Sequence, residues 1–360
     1  MTRIIFAGGG TAGHIEPALA VARKWNQAHP DSQISFLGTR TGLEGTLVPA
    51  SGFELSYIPK VSVPRRISPQ LILLPFSLIR AIRESMKVLS EADLLVGFGG
   101  YVSAPAYLAA ALTRTPFVIH EANAKPGLAN RLGALFTPYC ATSQHILKGA
   151  LKKSSLTGLP LKENIVQAFS SAQRDWKAAR IDAKRSLGFD ENTPLIFIFG
   201  GSQGSEALNS VIAEAQGALT ENGINVLHGV GAHSRLPQSS PRYRATNYIS
   251  DMATAYLAAD LIISRSGAVT CAEINSLGRY ALFIPLPIGN GEQNLNASSL
   301  VAQGRAELIS QTSFNQNWLL QNLDRLLSRS NAAPISGSPL DIEAAAKIVK
   351  MMETALSGGR

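Results

Sequence analysis

Four stretches of the 360-residue chain hold residue types that acid–base, sugar-binding and phosphate chemistry need. His14 follows Gly8-Gly9-Gly10-Thr11-Ala12-Gly13 and precedes Glu16-Pro17, where proline at the first helical position fits a helix start. A helix N-terminus disfavours the histidine cation, so the imidazole stays neutral and able to accept a proton. A histidine that merely caps the helix would look the same. His120-Glu121-Ala122-Asn123 closes an apolar run, and polar residues at the C-terminal end of a parallel strand face the binding crevice. Glu121 can orient a sugar hydroxyl or act as a base, or be an ordinary charged loop residue. Residues 264–273 run from a strand through a glycine turn into a helix that contains Glu273. A carboxylate there suits the two hydroxyls of a ribose, although a solvated helix face would read alike. Gly291-Glu292-Gln293-Asn294-Leu295-Asn296-Ala297 is a polar cluster able to read sugar hydroxyls.

A strand that ends in glycines and enters a helix occurs at residues 8–14 and again at Gly200-Gly201-Ser202-Gln203-Gly204-Ser205. Such a turn presents free backbone N–H groups at the positive end of a helix dipole, and together these bind phosphate. Neither turn is a P-loop, because no G-K-[ST] follows. One such turn alone can be a tight connection with no ligand; two facing one cleft are harder to read that way. The chain has no Asp-x-Asp pair, so a diphosphate would be held by helix N-termini and backbone donors rather than through a metal, and no metal site is expected. Residues 34–40 offer no acid for an NAD ribose. Arg40 would suit a 2′-phosphate, which leaves a reductase open.

These residues need a frame. Apolar runs at 4–7, 34–37, 94–97, 117–119, 195–199, 261–264 and 281–285 read as strands, and their lack of alternation suits a parallel sheet covered on both faces. Helical stretches such as 17–25 and 206–219 lie between them, giving the βαβ rhythm of doubly wound α/β domains twice over. Two Rossmann-like units in series place a cleft between them. The boundary is expected near Gly158-Leu159-Pro160, and a last helix over 341–356 follows a loop at 331–339.

Hydrophobic residues make up 45% and charged residues 16%, enough apolar material for two cores and too much for a disordered chain. The net charge of +8 favours anionic partners, whether nucleic acid, phosphorylated substrates or an anionic membrane surface. Two distant cysteines, Cys140 and Cys271, build no disulfide framework and fit a reducing, cytoplasmic compartment. No secretory signal is read at the start. Residues 94–113 lack charge, but Gly97, Gly99, Gly100 and Pro105 break them into strand, turn and helix rather than a membrane span.

In order along nearly the whole chain, residues 8–17, Gly99-Gly100-Tyr101-Val102-Ser103, 120–123, 200–204, 264–273 and 292–297 resemble the MurG family of peptidoglycan N-acetylglucosaminyltransferases. The resemblance implies a GT-B type fold, two Rossmann-like doubly wound domains facing a cleft. Residues 1–158 plus 341–360 would form the acceptor and membrane-facing domain with a returning C-terminal helix, and 159–340 the UDP-sugar donor domain. It implies transfer of N-acetylglucosamine from UDP-N-acetylglucosamine to the C4 hydroxyl of N-acetylmuramic acid in lipid I, forming lipid II, with inversion and no cofactor. Ser202 would contact the diphosphate, and the backbone of Ile249 the uracil. Ala268, Val269 and Thr270 would line the diphosphate and sugar. Glu273 would hold the ribose and Gln293 the N-acetylglucosamine hydroxyls. Thr11, Ala12, Gly13 and Asn123 would approach the donor sugar, with His14 and Glu121 as acid–base candidates. The family often has Gln where this chain has Ala122, and Arg where it has Lys162. Lys keeps the charge but loses the planar fork, so the binding role of Lys162 stays open.

The implied partners are UDP-N-acetylglucosamine, undecaprenyl-linked lipid I, an anionic membrane and other cell-wall synthesis proteins, with no nucleic acid. The implied place is the cytoplasmic side of the cell membrane, as a peripheral protein. Residues 68–88 fit that setting. Leu71, Ile72, Leu73, Leu74, Phe76, Leu78, Ile79 and Ile82 are surrounded by Arg65, Arg66, Arg80, Arg83 and Lys87, although an ordinary core-facing helix reads similarly. Ser68-Pro69 looks like a helix start, with Pro75 kinking or delaying the helix. Rival readings are a diacylglycerol sugar transferase, a UDP-N-acetylglucosamine 2-epimerase, a nicotinamide-dependent oxidoreductase and a sugar-binding subunit without turnover.

Overall fold

The computed structural model describes residues 1–61, 70–287 and 291–358. In chain order its elements begin with β1 (Arg3–Ala7), α1 (Ala12–Ala28), β2 (Gln33–Gly38), α2 (Glu44–Ala50), β3 (Glu54–Tyr57), α3 (Gln70–Leu89) and β4 (Leu94–Gly97). There follow α4 (Ser103–Thr113), β5 (Phe117–Glu121), α5 (Leu128–Gly133), β6 (Cys140–Thr142), β7 (Ser155–Leu156), α6 (Glu163–Ala172) and α7 (Trp176–Ser186). Next come β8 (Leu195–Phe199), α8 (Glu206–Glu221), β9 (Asn225–Gly229), β10 (Tyr243–Thr246), α9 (Met252–Ala258), β11 (Leu261–Ser264) and α10 (Ala268–Ser276). The chain ends through β12 (Ala281–Phe283), α11 (Glu292–Asn296), α12 (Ser298–Ala302), β13 (Ala306–Leu308), α13 (Gln316–Ala332) and α14 (Ala344–Gly358).

Two compact units result, one of Met1–Lys162 with Leu340–Arg360 and one of Glu163–Pro339. The first holds a seven-stranded sheet in the order β3-β2-β1-β4-β5-β6-β7, and the second a six-stranded sheet in the order β10-β9-β8-β11-β12-β13. Every pair in both is parallel. This is the doubly wound α/β arrangement expected from the sequence, built once in each unit. The strand order reverses between β1 and β4 and between β8 and β11, and the crevice beyond the carboxyl ends at such a reversal is where ligands bind.

The buried strands are apolar on both faces because both faces are covered. Ile4 and Phe6 pack with α1 and with Ile348 and Met352 of α14, whereas Ile5 and Ala7 pack on the opposite side with Ala106 and Tyr107 of α4. In the second unit Ile196 and Ile198 meet Leu208 and Ile212 of α8 and Leu319 and Leu323 of α13, while Phe197 and Phe199 turn to the Tyr256 ring of α9.

The structure corrects several sequence expectations. α1 begins at Ala12 with Thr11 as its N-cap, so Pro17 lies inside the helix and not at its first position. The last helix starts at Ala344, and Asp341, before it, accepts the Leu159 N–H at 2.7 Å. Strands β3, β6, β7, β9, β10 and β13 carry no long apolar run. β9 is buried but reads Asn-Val-Leu-His-Gly, its His228 bonded to Tyr243 Oη at 2.8 Å and Asn209 Oδ1 at 3.1 Å. Residues 94–113 divide into β4, a glycine turn and α4, and among the described residues no helix is long and apolar enough to cross a membrane.

Arg65, Arg66, Ser68 and Pro69 lie outside the described residues, as do the side chains of Leu71, Ile72 and Leu73. α3 runs from Gln70 through Pro75, so the proline does not delay it. Ala81, Ser85 and Leu89 form its buried face, against α4. Phe76 (70% exposed), Ile79 (48% exposed), Arg80, Arg83 and Lys87 form the open one.

Burial lifts the Asp341 carboxyl to about 6, against the opposing effects of the Leu159 N–H and Lys347. The folded state therefore binds this proton more tightly than the unfolded chain. Its contribution to stability is present below about pH 4 and is lost as pH rises through about 6. Asp341→Asn keeps an acceptor for Leu159 without the charge. Relative to the unsubstituted chain, the variant is expected to gain roughly 1–3 kcal/mol between pH 4 and pH 7, read from urea midpoints at both values. A difference that does not change with pH would refute this account.

Candidate active site

At the carboxyl end of β1 the chain turns through Gly8, Gly9 and Gly10 into α1. Gly10 has φ +94°, and a Cβ there would fall 2.7 Å from Tyr101 Cε1, so only glycine lets the turn lie against the Tyr101 ring. Thr11 is extended at the N-cap, and the His14 and Ile15 N–H groups bond to its carbonyl at 3.1 and 3.3 Å. The N–H groups of Ala12 and Gly13 have no acceptor among the described residues, as the first turn of a helix leaves them.

His14 is half-buried, with Nδ1 3.2 Å from the Gly9 carbonyl and 3.2 Å from Thr11 Oγ1. A carbonyl can only accept, so Nδ1 carries the hydrogen and Nε2 carries the lone pair. Burial lowers the imidazole from its ordinary value, while Glu121, the Gly9 carbonyl and Glu44 act in the raising direction. The imidazole is thus neutral near pH 7, as the sequence implied, but desolvation rather than the helix dipole is the leading cause.

Glu121 ends β5 and is 2% exposed. Its Oε1 accepts from Asn123 N (2.9 Å) and Asn123 Nδ2 (3.2 Å), and its Oε2 from Gly127 N (2.9 Å) and Asn130 Nδ2 (2.9 Å). Neighbouring His120 is buried and donates from Nε2 to the Gly158 carbonyl at 2.9 Å; burial drives it down to about 4 against that bond. Ala122 is buried and its carbonyl accepts from Ser143 Oγ. Lys162 pairs with Glu16 of α1 at 2.9 Å. The first unit thus gathers His14 and Glu121 electrostatically and ties Asn123 to Glu121.

In the second unit, β8 leads through Gly200–Gly204 to α8. Ser202 is exposed on this turn. Gly204 has φ +79°, and a Cβ would sit 2.1 Å from the Val230 carbonyl oxygen. α10 starts at Ala268, so the first-turn N–H groups of Ala268, Val269 and Thr270 have no partner within the helix. One turn on, Glu273 is 5% exposed and accepts from Tyr256 Oη at 2.8 Å, so it does not sit on a solvated face. Burial, then Glu273 itself, holds the Tyr256 phenol well above its ordinary value, so it stays a donor. Ile249 lays its side chain on Gly229, and its backbone N–H and C=O make no hydrogen bond among the described residues. Gln293 accepts the Leu286 N–H at 2.9 Å through Oε1.

Four residues that sequence reasoning left without a role hold these groups in place. Arg265 is 9% exposed and donates to the Ile284 carbonyl (2.9 Å), Ser205 Oγ (2.7 Å) and Gln311 Oε1 (2.7 Å), joining the turn after β11 to the start of α8. Asn130 takes the Tyr107 hydroxyl at 2.8 Å and donates to Glu121. Glu44 is 1% exposed and accepts from Gly10 N (3.1 Å), Thr39 N (3.0 Å), Thr39 Oγ1 (2.9 Å) and Tyr101 Oη (3.1 Å). Tyr101 and Arg265 lie inside runs singled out above. Glu44 had the weaker signal of a single acid in an otherwise uncharged helix, and Asn130 had none.

Residues 4–141 match the glycosyltransferase family 28 N-terminal domain, and residues 195–351 the family 28 C-terminal domain. A Frankia casuarinae protein named UDP-N-acetylglucosamine--N-acetylmuramyl-(pentapeptide) pyrophosphoryl-undecaprenol N-acetylglucosamine transferase is 43% identical over 99% of this chain and 96% of its own. A Thermobifida fusca protein of the same name is 42% identical over 92% and 89%. The crystal structure of Acinetobacter baumannii MurG superposes with a TM-score of 0.74 at 28% identity, covering 98% of this chain and 100% of that one. The chain belongs to the MurG family. As a MurG-family member it is a glycosyltransferase and not the nicotinamide-dependent reductase that Arg40 had left open. A UDP-GlcNAc 2-epimerase from Neisseria meningitidis, bound to UDP-GlcNAc, has a TM-score of 0.61 at 15% identity over 98% of this chain and 100% of that one. That is a likeness of fold alone.

Gly204→Ala forces a side chain into both a left-handed backbone and a carbonyl, and is expected to cost about 2–4 kcal/mol of stability. Urea unfolding measures this; a loss under roughly 0.5 kcal/mol, the scale of a neutral surface change, would show that the turn is built otherwise.

Proposed function

We propose that this protein transfers N-acetylglucosamine from UDP-N-acetylglucosamine to the C4 hydroxyl of the N-acetylmuramyl group of undecaprenyl-linked lipid I, forming lipid II for peptidoglycan. The observation that carries this reading is the likeness at 43% identity, over nearly the full length of both chains, to a transferase named for that reaction. The acceptor hydroxyl attacks the anomeric carbon, the bond from that carbon to the diphosphate oxygen breaks on the opposite face, and UDP leaves with the electron pair.

The diphosphate is already a good leaving group, so the protein's work is to place the hydroxyl, take its proton and hold the developing charge. His14 is the base in this reading. Its Nδ1–H is directed to the Gly9 carbonyl, which leaves the Nε2 lone pair for the hydroxyl proton. Glu121 is the weaker candidate, because four N–H groups already occupy its two oxygens. Its charge instead favours the imidazolium that forms on His14.

The second unit is the donor domain in this account. The open N–H groups of Ala268, Val269 and Thr270, with Ser202, take the diphosphate. Glu273, steadied by Tyr256, takes the ribose hydroxyls, the free backbone of Ile249 reads the uracil, and the Gln293 amide reads the sugar. In the first unit, which carries the acceptor, Thr11, Ala12, Gly13 and Asn123 contribute to the donor sugar. Lys162 keeps its charge but spends it on Glu16, a supporting rather than a binding role.

The open face of α3 is the membrane contact. Phe76 and Ile79 enter the interface and Arg80, Arg83 and Lys87 meet anionic headgroups. In this reading the protein sits peripherally on the cytoplasmic face of the membrane, beside the polyprenyl-anchored acceptor and other cell-wall synthesis proteins. Its product then bears on cell shape and division.

Incubation with radiolabelled UDP-N-acetylglucosamine and a lipid I analogue is expected to yield labelled lipid II. Conversion of the donor without an acceptor would point to an epimerase instead. His14→Ala is expected to lower kcat by roughly 10²–10⁴-fold with little change in UDP affinity by calorimetry. Unchanged turnover would remove His14 from the role of base. Double charge reversal at Arg80 and Arg83 removes roughly 1 kcal/mol per basic residue and is expected to release the protein from anionic vesicles in a pelleting assay. Pelleting that survives the reversal would overturn the docking face.

A further inference from the structure

Glu44 is fully buried on α2, touches no residue assigned to donor or acceptor, and collects four hydrogen bonds. One of them is distinctive. The Gly10 N–H that donates to Glu44 Oε2 at 3.1 Å and the Gly9 carbonyl that accepts from His14 Nδ1 at 3.2 Å are the two ends of a single peptide group. A carboxylate, a peptide plane and an imidazole are therefore joined in series. We propose that Glu44 is a positioning residue for His14, acting through the Gly9–Gly10 peptide group. The inference rests on the reading of His14 as base.

The physics follows from the polarisability of an amide. A negative charge on the N–H side of a peptide draws electron density towards its carbonyl oxygen, which then becomes a stronger acceptor, and hydrogen bonds in series strengthen one another. The Gly9 carbonyl fixes the tautomer with hydrogen on Nδ1. When Nε2 takes the acceptor's proton, Nδ1–H becomes more acidic and its bond to Gly9 tightens. No proton passes to Glu44; it stays ionised throughout. Burial alone would push its carboxyl up, but hydrogen bonding from Gly10, from its own backbone and from Thr39 together outweighs burial and holds it below the ordinary value.

A glutamine cannot substitute. Glu44 meets backbone N–H groups with both oxygens, Thr39 at Oε1 and Gly10 at Oε2. An amide in either orientation sets its NH2 against one of them. The charged groups that bear on the imidazole are Glu121 at the end of β5 and Glu44 on α2; Tyr101, in the turn after β4, reaches it through Glu44. Glu16, on His14's own helix, is paired with Lys162.

The test combines kinetics with NMR of the full-length protein. In Glu44→Gln, kcat is expected to fall by about tenfold or more, with the KM for UDP-N-acetylglucosamine unchanged within about twofold. Losing a charge that favours the imidazolium moves the acid limb of the pH profile to lower pH. Glu44→Asp, which keeps the charge on a shorter stem, is expected to recover part of kcat. Separately, ¹⁵N spectra identify the His14 signals by their loss in His14→Ala. In the unsubstituted protein the Gly10 amide is expected to shift with the His14 titration, and in Glu44→Gln the His14 midpoint is expected to fall. A Gly10 amide that ignores His14, or a Glu44→Gln protein with unaltered kcat, pH profile and His14 midpoint, overturns the proposal. The Gly10 readout needs no Glu44 variant, so it decides even where Glu44→Gln does not fold. Full turnover in His14→Ala would instead remove the base reading, while the NMR arms still report on the coupling itself.

Discussion

A parallel sheet gives its loops no support at the carboxyl edge. Where strand order reverses, between β1 and β4 in the first unit, the connecting segments leave in opposite directions and their N–H groups find no ladder partner. Two buried carboxylates take up those donors. Glu44 gathers the glycine turn after β1, Thr39 after β2 and Tyr101 after β4; Glu121 gathers Asn123, Gly127 and Asn130 after β5. Burying a carboxylate costs several kcal/mol, and charge-assisted bonds of about 1.5–3 kcal/mol each offset it only when nearly every lone pair is used. Each of these two groups uses four. The geometry of His14, of α1 and of the β5 loop all depends on that saturation.

The second unit meets the same problem with the opposite charge. Arg265 leaves the turn after β11 and ties the Ile284 carbonyl, Ser205 at the start of α8 and Gln311 together. Around it, α8 and α10 both begin at the sheet's carboxyl edge, each bringing the positive end of a helix dipole. In the proposed reaction it is these helix ends that meet the diphosphate. The crevice of the first unit is held by anions around a neutral imidazole, suited to taking a proton from a hydroxyl. The two sets of loops thus differ in the buried charge that anchors them, carboxylates in the first unit and a guanidinium in the second.

The sequence made the sheets' centres legible and left the edges obscure. Leu94–Gly97, Leu195–Phe199 and Leu261–Ser264 could be bounded from composition alone because those strands are covered on both faces and must be apolar throughout. β3, β10 and β13 are short edge strands whose residues answer to turns and solvent as much as to the core, and β9 hides polar side chains that satisfy one another. The start of α1 was misplaced because proline signals a first turn only on average; the helix begins several residues earlier, after Thr11, whose side chain turns to His14 rather than capping it. Within the site, glycine turns and polar strand ends could be read locally. Glu44 could not, since nothing in its neighbourhood of sequence says that Gly10 and Tyr101 will arrive beside it. Lys162 shows the converse: its chemistry was visible, but its bond to Glu16 is a fact of tertiary structure.

An imidazole that serves as a base, the role proposed for His14, faces competing demands. It must be uncharged at the working pH, which burial secures, yet basic enough to take a hydroxyl proton, which burial opposes. Full exposure would relax the second demand but surrender control of the tautomer and the exclusion of water. Placing two carboxylates within electrostatic reach, neither bonded to the ring itself, meets both demands. Glu121 and Glu44 favour the imidazolium as it forms, while the Nδ1 hydrogen bonds go only to the Gly9 carbonyl and Thr11. A carboxylate bonded directly to Nδ1 would raise the resting basicity further and bring protonation of the free enzyme closer. An intervening peptide weakens that pull while keeping its direction, so His14 rests neutral and gains stabilisation as its charge develops.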